Sequence, residues 1–551
     1  MADLGTTAGI TRARFAEFEQ PAELVAEWHR LGYRSDALVG PLLFSRLAQF
    51  PDRFAVIDGE TRLSNGEIAA RANAFAAALA AAGVGRGDVV SWQVPNWWEA
   101  VVVALAVWQL GAINNPVLMI YREHELVQIL ADMRPAAIVA PPSFRRHEHV
   151  EMLDSVLAEI GHQPPLRVTV RGEAPGWTPI EQLLDAAATP PPFPAELHPG
   201  DPCIVAYTSG TTAGAKGVVV DSYGVLAETR QMRDAWGVAW DDVSFMPAPL
   251  AHLTGVNVGI TVPFTAGAAV VLMDVWRPEP GVEAIESEGC GISSGTPTFL
   301  EEIVSIYERE GRTDAALRQY SVGGAAVPPE LIERAEAVGI GAFRCYGMTE
   351  HMSTTIANRG LPLAVRSRTD GPLGPGSSIS CVDEDGVVLP AGEEGEIRVR
   401  GPERMMGYVD PAHNEGVLDR AGGWFSTGDV GFVDADGNVH ISGRTKDIIN
   451  RGGEKFSARE IEDVVCTHPA VRQAAVVPAA DPRYGEVPAA FIVLGEGVTA
   501  PSGEELAAYV QEHRLAKQKT PVRWLPIERL PTTPFGKVRK QELIDKLADN
   551  G

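Results

Sequence analysis

Along its N-terminal half the chain alternates between short apolar runs and longer stretches in which apolar residues recur with helical spacing. The strand-like runs lie at residues 89–94, 136–140, 168–170, 268–273 and 291–294. Such alternation is typical of parallel sheets with helices packed against them. We therefore predict an α/β fold in which the large N-terminal part consists of stacked β/α subdomains.

Turn and capping residues mark individual elements in this region. Asp58 and Gly59 lie between the apolar halves of segment 54–63, which predicts a β-hairpin. Ser64 and Glu67 have the spacing of a capping box and precede an alanine-rich stretch, which predicts the start of a helix.

The pattern changes after residue 370, where glycines separate short strand-like runs. These runs lie at residues 378–382, 396–400, 431–433 and 439–441. Asp-Gly pairs at 385–386 and 436–437 are typical of tight turns between antiparallel strands. This part of the chain predicts a small antiparallel barrel or sheet.

A third pattern begins near Lys446. Ser457 and Glu460 again have capping-box spacing and predict a helix that continues through Val465. Further along the chain, strands are predicted at 473–477 and 489–494, and a helix at 503–513. We therefore divide the chain into a large domain at 1–445 and a small α+β domain at 446–551.

Composition restricts the class of protein. Lysines and arginines number 47 against 72 aspartates and glutamates, for a net charge of −25, which argues against a nucleic-acid or anionic-membrane surface. The five cysteines are widely spaced without a CxxC pair, so neither a zinc site nor a disulfide framework is indicated. The N-terminus lacks an apolar signal region, and the apolar run 100–108 is too short to span a bilayer. We expect a cytoplasmic protein without a membrane span.

Segment 207–218 carries the most informative chemistry. It follows the apolar run 203–206 and combines hydroxyl side chains and glycines with one lysine, Lys216. Backbone N–H groups, hydroxyl donors and a mobile cation at the end of a strand suit a polyphosphate. The segment is not a Walker A loop, because Gly217 stands where that motif has a serine or threonine. Taken alone, it is equally compatible with a surface loop.

Short polar segments elsewhere add functional groups. They lie at 249–252, 346–350, 425–429, 443–447 and 534–537. Asp429 is suited to a vicinal diol, as acidic residues are to ribose. Each segment alone has an ordinary alternative: His252 is compatible with a core or turn histidine, and Lys537 with a solvated lysine.

In their order and spacing these segments resemble the adenylate-forming superfamily, which unites acyl- and aryl-CoA synthetases, peptide-synthetase adenylation domains and firefly luciferase. The resemblance extends from about residue 40 to residue 545 and implies ATP, Mg²⁺ and coenzyme A as cofactors or cosubstrates. It implies that the β- and γ-phosphates of ATP bind Thr208, Ser209, Gly210, Thr211, Thr212 and Lys216. It implies an adenine slot formed by Gly324, Ala325, Cys345, Tyr346 and Gly347, with the base stacked on Tyr346.

The resemblance also implies catalytic roles. Thr349 contacts the α-phosphate, Glu350 holds Mg²⁺, and Asp429 binds the ribose with help from Arg444. Lys537 bridges the substrate carboxylate and the α-phosphate during adenylation. The small domain is mobile and rotates about a hinge near Lys446, so that Gly452 and Gly453 approach the pantetheine arm of CoA in a second pose.

The implied acyl pocket contains small and apolar residues. Its members are His252, Val256, Asn257, Gly295, Thr296, Gly323, Met348 and Met352, and His252 also lines the path of the incoming thiol. No aspartate stands where amino-acid activators hold the substrate amine, so amino acids are not expected. Three positions depart from the family pattern: Ala213 and Ala215 in the phosphate loop, and Phe535 before the terminal Gly-Lys.

Segment 444–460 is similar to acyl-CoA synthetases rather than to peptide-synthetase modules. We therefore predict an ATP-dependent carboxylic acid:CoA ligase that releases pyrophosphate and then AMP. The N-terminal half most closely resembles medium-chain and cyclohexanecarboxylate-type CoA ligases. The sequence also leaves aryl acids open as substrates. Two alternatives stay open: an aryl-acid adenylating enzyme that loads a separate carrier protein, and a catalytically silent relative. A homodimer is a further hypothesis.

Overall fold

The structure is a computed structural model that describes residues 9–184, 191–208, 215–452, 454–495, 497–513, 515–532 and 538–549. Helices and strands alternate through the first two thirds of the chain, which confirms the α/β prediction. The described residues form two large sheets whose strands interleave along the chain, a smaller antiparallel sheet and a C-terminal sheet.

The first sixteen strands supply the two large sheets, apart from β19, together with one small hairpin. They are β1 Phe54–Asp58, β2 Thr61–Ser64, β3 Val89–Trp92, β4 Ile113–Pro116, β5 Ala137–Ala140, β6 Ser143–Phe144, β7 His147–Glu148, β8 Leu166–Thr169, β9 Thr178–Pro179, β10 Pro202–Thr208, β11 Lys216–Asp221, β12 Val243–Met246, β13 Ala269–Leu272, β14 Ile292–Gly295, β15 Gln319–Val322 and β16 Gly341–Arg344. One sheet has the order β16-β15-β14-β12-β13-β1-β2, and β6 and β7 form a separate hairpin.

The later strands form the other sheets and complete the second large one. They are β17 Ser378–Val382, β18 Gly395–Arg400, β19 Gly407–Tyr408, β20 Phe425–Val433, β21 Val439–Arg444, β22 Ile448–Arg451, β23 Glu454–Ser457, β24 Val471–Asp481, β25 Gly485–Leu494 and β26 Arg523–Pro526. The second large sheet has the order β19-β11-β10-β4-β3-β5-β8-β9. Its central pairings are parallel, whereas β10–β11 and β11–β19 are antiparallel.

Helices cover the faces of these sheets. They are α1 Ala22–Leu31, α2 Val39–Gln49, α3 Asn65–Ala81, α4 Trp98–Gln109, α5 Glu123–Met133, α6 His149–Glu159, α7 Ile180–Leu184, α8 Ser222–Trp236, α9 Leu253–Val256, α10 Val262–Ala266, α11 Pro278–Ser287, α12 Pro297–Glu310, α13 Pro329–Ala337, α14 Leu363–Arg368, α15 Ala458–Cys466, α16 Gly503–Glu512 and α17 Lys540–Asp549. None of the described helices is long and apolar enough to cross a membrane.

The predicted hairpin and the first capping box are confirmed. β1 and β2 pair antiparallel across the Asp58–Thr61 turn. The Ser64 hydroxyl accepts a hydrogen bond from the backbone N–H of Glu67, and the Glu67 carboxylate accepts one from the backbone N–H of Ser64. These reciprocal bonds satisfy two backbone donors at the start of α3.

The segment after residue 370 is antiparallel, as predicted. Its strands pair in the order β17-β18-β20-β21. The pairing leaves Asp429 directly opposite Arg444 at the end of β20–β21. Closure of this sheet into a barrel stays a prediction.

The predicted capping box at Ser457 is wrong for one of its two hydrogen bonds, the one that Glu460 was expected to form. The Ser457 hydroxyl caps α15 by accepting from the backbone N–H of Arg459. Glu460, however, directs both carboxylate oxygens to the Lys519 ammonium, at 2.6 and 2.5 Å. A charged partner gives the carboxylate a stronger hydrogen bond than a backbone amide does. A complete box occurs instead at Ser502, whose partner is Glu505.

Candidate active site

The predicted phosphate-binding segment connects two antiparallel strands. Thr208 is the last residue of β10, Lys216 is the first of β11, and the two residues face each other in the pairing. The predicted residues Ser209, Gly210, Thr211 and Thr212 lie outside the described residues, as do Ala213, Gly453 and Lys537. The pairing therefore brings two of the predicted phosphate ligands, Thr208 and Lys216, side by side.

Ala215, one of the departures from the family pattern, lies in unstrained backbone. Among the described residues the non-glycine positions with positive φ are Arg134, Arg145, Arg146 and Arg171. Ala215 is buried, and its carbonyl accepts a hydrogen bond of 2.8 Å from the Gln128 amide. This alanine therefore adds no left-handed strain to the loop.

A tyrosine links the phosphate-binding lysine to the carboxylate predicted for magnesium. The Lys216 ammonium lies 5.1 Å from the centre of the Tyr408 ring. The Tyr408 hydroxyl donates a hydrogen bond of 2.7 Å to Oε1 of Glu350. Burial, with the Glu350 carboxylate beside it, raises the pKa of Tyr408, so the phenol keeps its proton and orients Glu350. Sequence reasoning missed Tyr408, which stands 58 positions from Glu350.

Glu350 is suited to a magnesium ion that is bound jointly with a nucleotide. Its carboxylate is partly exposed and is fixed at one oxygen by Tyr408. The described residues contain no group of three or more histidine, cysteine, aspartate or glutamate side chains that could hold a metal. Mg²⁺ is characteristically bound by one or two carboxylates together with substrate phosphates, which fits a single carboxylate beside a phosphate loop.

The segment that carries Thr349 and Glu350 turns back sharply on itself. A Cβ atom on Gly347 would lie 1.8 Å from the carbonyl oxygen of Met352, a contact that backbone cannot accommodate. The backbones of Met348 and His351 exchange hydrogen bonds of 3.1 and 3.2 Å. Glycine is therefore required at 347 by close approach rather than by its φ angle.

Replacing Gly347 with alanine is expected to displace this turn and to reduce ATP-dependent pyrophosphate release by about 10²-fold, the scale of a misplacement of about 1 Å. The measurement is kcat/KM for ATP with an accepted acid. Gly85→Ala is the matched control, because a Cβ there meets nothing within 4 Å and Gly85 has no positive φ. Equal activity of the two variants would contradict the requirement.

The predicted ribose and adenine residues are joined by hydrogen bonds. The Tyr346 hydroxyl donates to Oδ2 of Asp429 at 2.7 Å, and Nε of Arg444 lies 2.8 Å from Oδ1 of the same carboxylate. Asp429 is buried, whereas the Arg444 side chain is half exposed. Burial, with Asp429 beside it, raises the pKa of Tyr346 well above its ordinary value. The Asp429 carboxylate is consequently fixed in place between a phenol and a guanidinium.

The remaining residues of the predicted adenine slot lie at adjacent strand ends. Gly324 follows β15 with φ of 79°, and a Cβ on it would meet nothing within 4 Å. A Cβ on Gly323 would lie 2.7 Å from Sγ of Cys345. Ala325 is partly exposed beside them, and the backbone N–H of Cys345 donates to the Val322 carbonyl at 3.0 Å. Gly324 thus borders open space at this edge, whereas Gly323 is packed closely against Cys345.

The predicted acyl pocket residues fall in two groups. Val256 and Asn257 lie where α9 passes into a π-helical turn, Asn257–Thr261, a feature frequent at functional sites. The Asn257 amide approaches Sδ of Met352 at 3.5 Å, which joins this helix to the segment containing Met348. Gly295 and Thr296 lie at the end of β14, and the Gly295 carbonyl accepts from Gly323 N–H at 3.1 Å.

His252 is the N-cap of α9. Its Nδ1 accepts a hydrogen bond of 3.2 Å from the backbone N–H of Thr254. In the neutral ring this places the proton on Nε2. The imidazole therefore has a defined tautomer at the start of the helix that carries Val256 and Asn257.

Contacts cross the predicted hinge. Lys446 lies in a short 3₁₀ turn, Thr445–Asp447. The Ser457 hydroxyl donates to the carbonyl of Ser442, and a Cβ on Gly443 would lie 2.3 Å from the Ser457 oxygen. Gly452 has φ of 64°, and its N–H donates to the Tyr484 carbonyl at 2.8 Å. The hinge and the pantetheine contact stay predictions.

Comparison with known proteins gives the family. The model of the AMP-binding enzyme family matches residues 43–409, and the model of its C-terminal domain matches residues 460–537. The medium-chain fatty-acid–CoA ligase of Escherichia coli (strain K12) is 33% identical, over 93% of this chain and 92% of its own. The indoleacetate–CoA ligase of Aromatoleum aromaticum is 30% identical, over 90% and 96% respectively. The crystal structure of ATP-bound MatB from Rhodopseudomonas palustris superposes with a TM-score of 0.82 at 26% identity, over 93% of this chain and 100% of that chain.

This chain belongs to the AMP-binding enzyme family, and the predicted resemblance to adenylate-forming enzymes is confirmed. The curated relatives named above are CoA ligases that act on a medium-chain fatty acid and on indoleacetate. The predicted membership of the acyl-CoA synthetase branch is confirmed as well.

Proposed function

We propose that the protein is an ATP-dependent carboxylic acid:CoA ligase that forms an acyl-adenylate and then an acyl-CoA thioester. One observation carries the proposal, a continuous set of contacts from Lys216 through Tyr408 to Glu350, and from Tyr346 to Asp429 and Arg444. Tyr346 and Glu350 belong to the same turn. A cation, a carboxylate suited to magnesium and a carboxylate suited to a diol are therefore linked by side-chain contacts and one backbone turn, which is the set of groups that Mg²⁺-ATP requires.

The first step needs charge neutralisation. The substrate carboxylate attacks the α-phosphate of ATP, a bond forms between the carboxylate oxygen and phosphorus, and pyrophosphate departs with the bonding electrons. Two anions approach each other, so positioning and electrostatic stabilisation contribute most of the catalysis. Lys216 neutralises the departing phosphates, and Lys537 holds the carboxylate against the α-phosphate. When bound, Mg²⁺ supplies further positive charge, and Glu350 would hold it.

The second step uses a thiol. The sulfur of CoA attacks the acyl carbon, AMP leaves, and the thiol proton passes to solvent or to a base. Gly452, and Gly453 beside it in sequence, leave room for the pantetheine arm after the small domain rotates about Lys446. Because Nδ1 of His252 is an acceptor, its Nε2 carries the proton and can donate a hydrogen bond. We propose that this side chain lies beside the acyl group.

The acid is an apolar aliphatic, alicyclic or aryl carboxylate. Val256, Met348 and Met352 supply apolar surface, and thioether side chains adapt to irregular groups. Asn257 already donates to Met352, which reduces its capacity to hold a polar substrate. The names of the relatives support this range, because one acts on medium-chain fatty acids and another on an aryl acetate.

The proposal is tested by measuring pyrophosphate release with ATP, Mg²⁺ and a panel of hexanoate, octanoate, cyclohexanecarboxylate, benzoate and indoleacetate, each with and without CoA. We expect one class of acid to support AMP formation that depends on CoA, and omission of Mg²⁺ to abolish it. Lys216→Ala is the control for contaminating ligase, and its activity should be strongly reduced.

Two results would overturn the proposal. Pyrophosphate release with an acid but without any acyl-CoA product would favour the carrier-protein alternative. Tight ATP binding without pyrophosphate release for any acid would favour the silent relative. The homodimer is a separate prediction, which the sedimentation coefficient of the purified protein tests.

A further inference from the structure

Two glutamates lie buried behind the turn that carries Thr349 and Glu350. Glu228 on α8 is 1% exposed, and Glu403, in the connection between β18 and β19, is fully buried. Among the described residues neither forms an ion pair with a lysine or arginine. The catalytic scheme above uses neither of them. A buried carboxyl group without a cationic partner is costly when ionised.

Glu228 contacts the nucleotide-binding segment directly. The Ser353 hydroxyl donates to Oε1 of Glu228 at 2.5 Å, and the backbone of Ser353 donates to the same carboxyl group. Ser353 follows Met352, whose carbonyl oxygen lies against Gly347 near the start of the turn. Glu228 therefore holds the end of the turn that begins at Tyr346.

Glu403 contacts the same segment from the other side. Its Oε1 accepts from the Ser377 hydroxyl and lies 3.5 Å from Nδ1 of His351. Nε2 of Gln231 donates to its Oε2 at 3.4 Å. The turn is thus held between two carboxyl groups that belong to different elements.

The neighbouring groups offer little positive charge to these carboxyls. Burial lowers the pKa of His351 to about 3, so this ring is neutral. The guanidinium of Arg404 donates to the carbonyls of Phe18 and Gly423. Burial raises the pKa of the Cys345 thiol to about 11, and a negative charge on Glu228 adds to this effect.

The unpaired atoms favour a proton on Glu228. Its Oε2 is buried without a partner, and so is Oε1 of Gln231, an acceptor three residues further along α8. Residues separated by three positions share a helix face. A protonated Oε2 would be a donor on this face, whereas an ionised carboxylate would leave a second buried acceptor beside the unpartnered Gln231 oxygen without a donor. Burial, with Glu403 nearby, raises the pKa of Glu228 to about 8, and burial raises that of Glu403 to about 7.

We propose that Glu228 is a positioning residue that, in its uncharged form, holds Ser353 and thereby fixes the turn that presents Thr349 and Glu350 to ATP. The inference rests on the proposed function, because it assigns a support to that nucleotide site. When Glu403 is also ionised, ionisation of Glu228 places two like charges beside this turn, neither paired with a lysine or arginine in the described part of the chain, and Ser353 is displaced. The rate of adenylate formation from ATP then falls as pH rises above the pKa of Glu228 in the folded protein.

The test compares Glu228→Gln, Glu228→Ala and the wild-type protein between pH 6 and 9.5. Pyrophosphate exchange without CoA is measured, so that ionisation of the CoA thiol does not contribute. We expect wild-type kcat/KM for ATP to fall up to tenfold per pH unit above about pH 8, the limiting slope of one titrating group. Glu228→Gln retains the donor and acceptor, so it should remain active and lose this decline. Glu228→Ala should be at least tenfold less active at every pH.

Thermal unfolding gives a second measurement that needs no substrate. Because the folded-state pKa of Glu228 lies above its ordinary value of 4.5, its contribution to stability is full at low pH and is lost as pH rises toward 8. Glu228→Gln should therefore raise the Tm relative to wild type at pH 9 and change it little at pH 5. Glu286→Gln is the control, since burial of Glu286 is outweighed by its bonds to Tyr307, to the Ala316 backbone and to Arg312 at 2.5 Å, which hold its pKa below the ordinary value. It should lower the Tm and leave the pH profile of activity unchanged.

An unchanged pH profile in Glu228→Gln, or a loss of activity as large as that of Glu228→Ala, would overturn the proposal. Failure of the wild-type protein to form an adenylate from any acid would instead overturn the proposed function. In that case the Tm comparison still decides whether Glu228 is protonated. If Glu228→Ala does not fold, the comparison of Glu228→Gln with the wild-type protein decides the question on its own.

Discussion

Replacement of Asp429 with alanine is expected to lower kcat/KM for ATP by about 10²- to 10³-fold, because each charge-assisted hydrogen bond to a ribose hydroxyl contributes ~1.5–3 kcal/mol. The substitution also removes the acceptor for the Tyr346 hydroxyl and the partner of Arg444. A phenol buried without a partner costs additional stability of the nucleotide site. The main change should be in KM for ATP, measured by pyrophosphate release at saturating acid.

Two companion variants separate the contributions of this network. Tyr346→Phe removes only the hydroxyl, and we expect at most a tenfold loss. Asp436→Ala changes an exposed aspartate in the turn after β20 and should leave KM for ATP within threefold. If Asp429→Ala also left KM for ATP within threefold, Asp429 would not be the ribose ligand.

Replacement of Lys537 with alanine is expected to abolish most adenylate formation, by about 10²- to 10³-fold, the scale of removing one preorganised group that stabilises developing charge. The second half-reaction should be retained, because the proposed contact of Lys537 exists only during adenylation. The measurement therefore has two arms: pyrophosphate exchange with ATP and acid, and thioester formation from chemically prepared acyl-adenylate and CoA.

The two arms distinguish a catalytic role from a general defect. Lys517→Ala removes an exposed lysine of the small domain and should leave both arms unchanged. Equal losses in both arms for Lys537→Ala would indicate damage to the small domain rather than loss of a contact with the carboxylate. Normal pyrophosphate exchange would eliminate Lys537 from the first step.

Short-range patterns in the sequence predicted the elements well. The Ser64–Glu67 capping box and the β1–β2 hairpin depend on residues a few positions apart, and both form as expected. Antiparallel strands after residue 370 followed from their turn residues. Ser457 shows the limit, because Glu460 has the correct spacing but binds Lys519, a residue 59 positions away.

The supporting contacts of the site could not be predicted in this way. Tyr346 and Asp429 are 83 positions apart, and Glu228 and Ser353 are 125 positions apart. The two residues of each pair come into contact because the sheets bring distant segments together. A local sequence pattern cannot predict such a contact. The resemblance named the groups that are expected to face ATP, because they lie in recognisable segments. It gave no indication of Tyr408 or Glu228, which act through other residues.

The pairing of β11 has a consequence for mutational scans. β11 lies between β10 and β19, so that Lys216 and Tyr408 belong to neighbouring strands, and Gly217 packs against Val409 and the Tyr207 ring. Bulky substitutions at Met406, Gly407 or Val409 will shift β11 and register as nucleotide-binding defects. A scan scored by activity would thus assign these three positions to the catalytic apparatus, although, unlike Tyr408 between them, they affect the site only through the placement of β11.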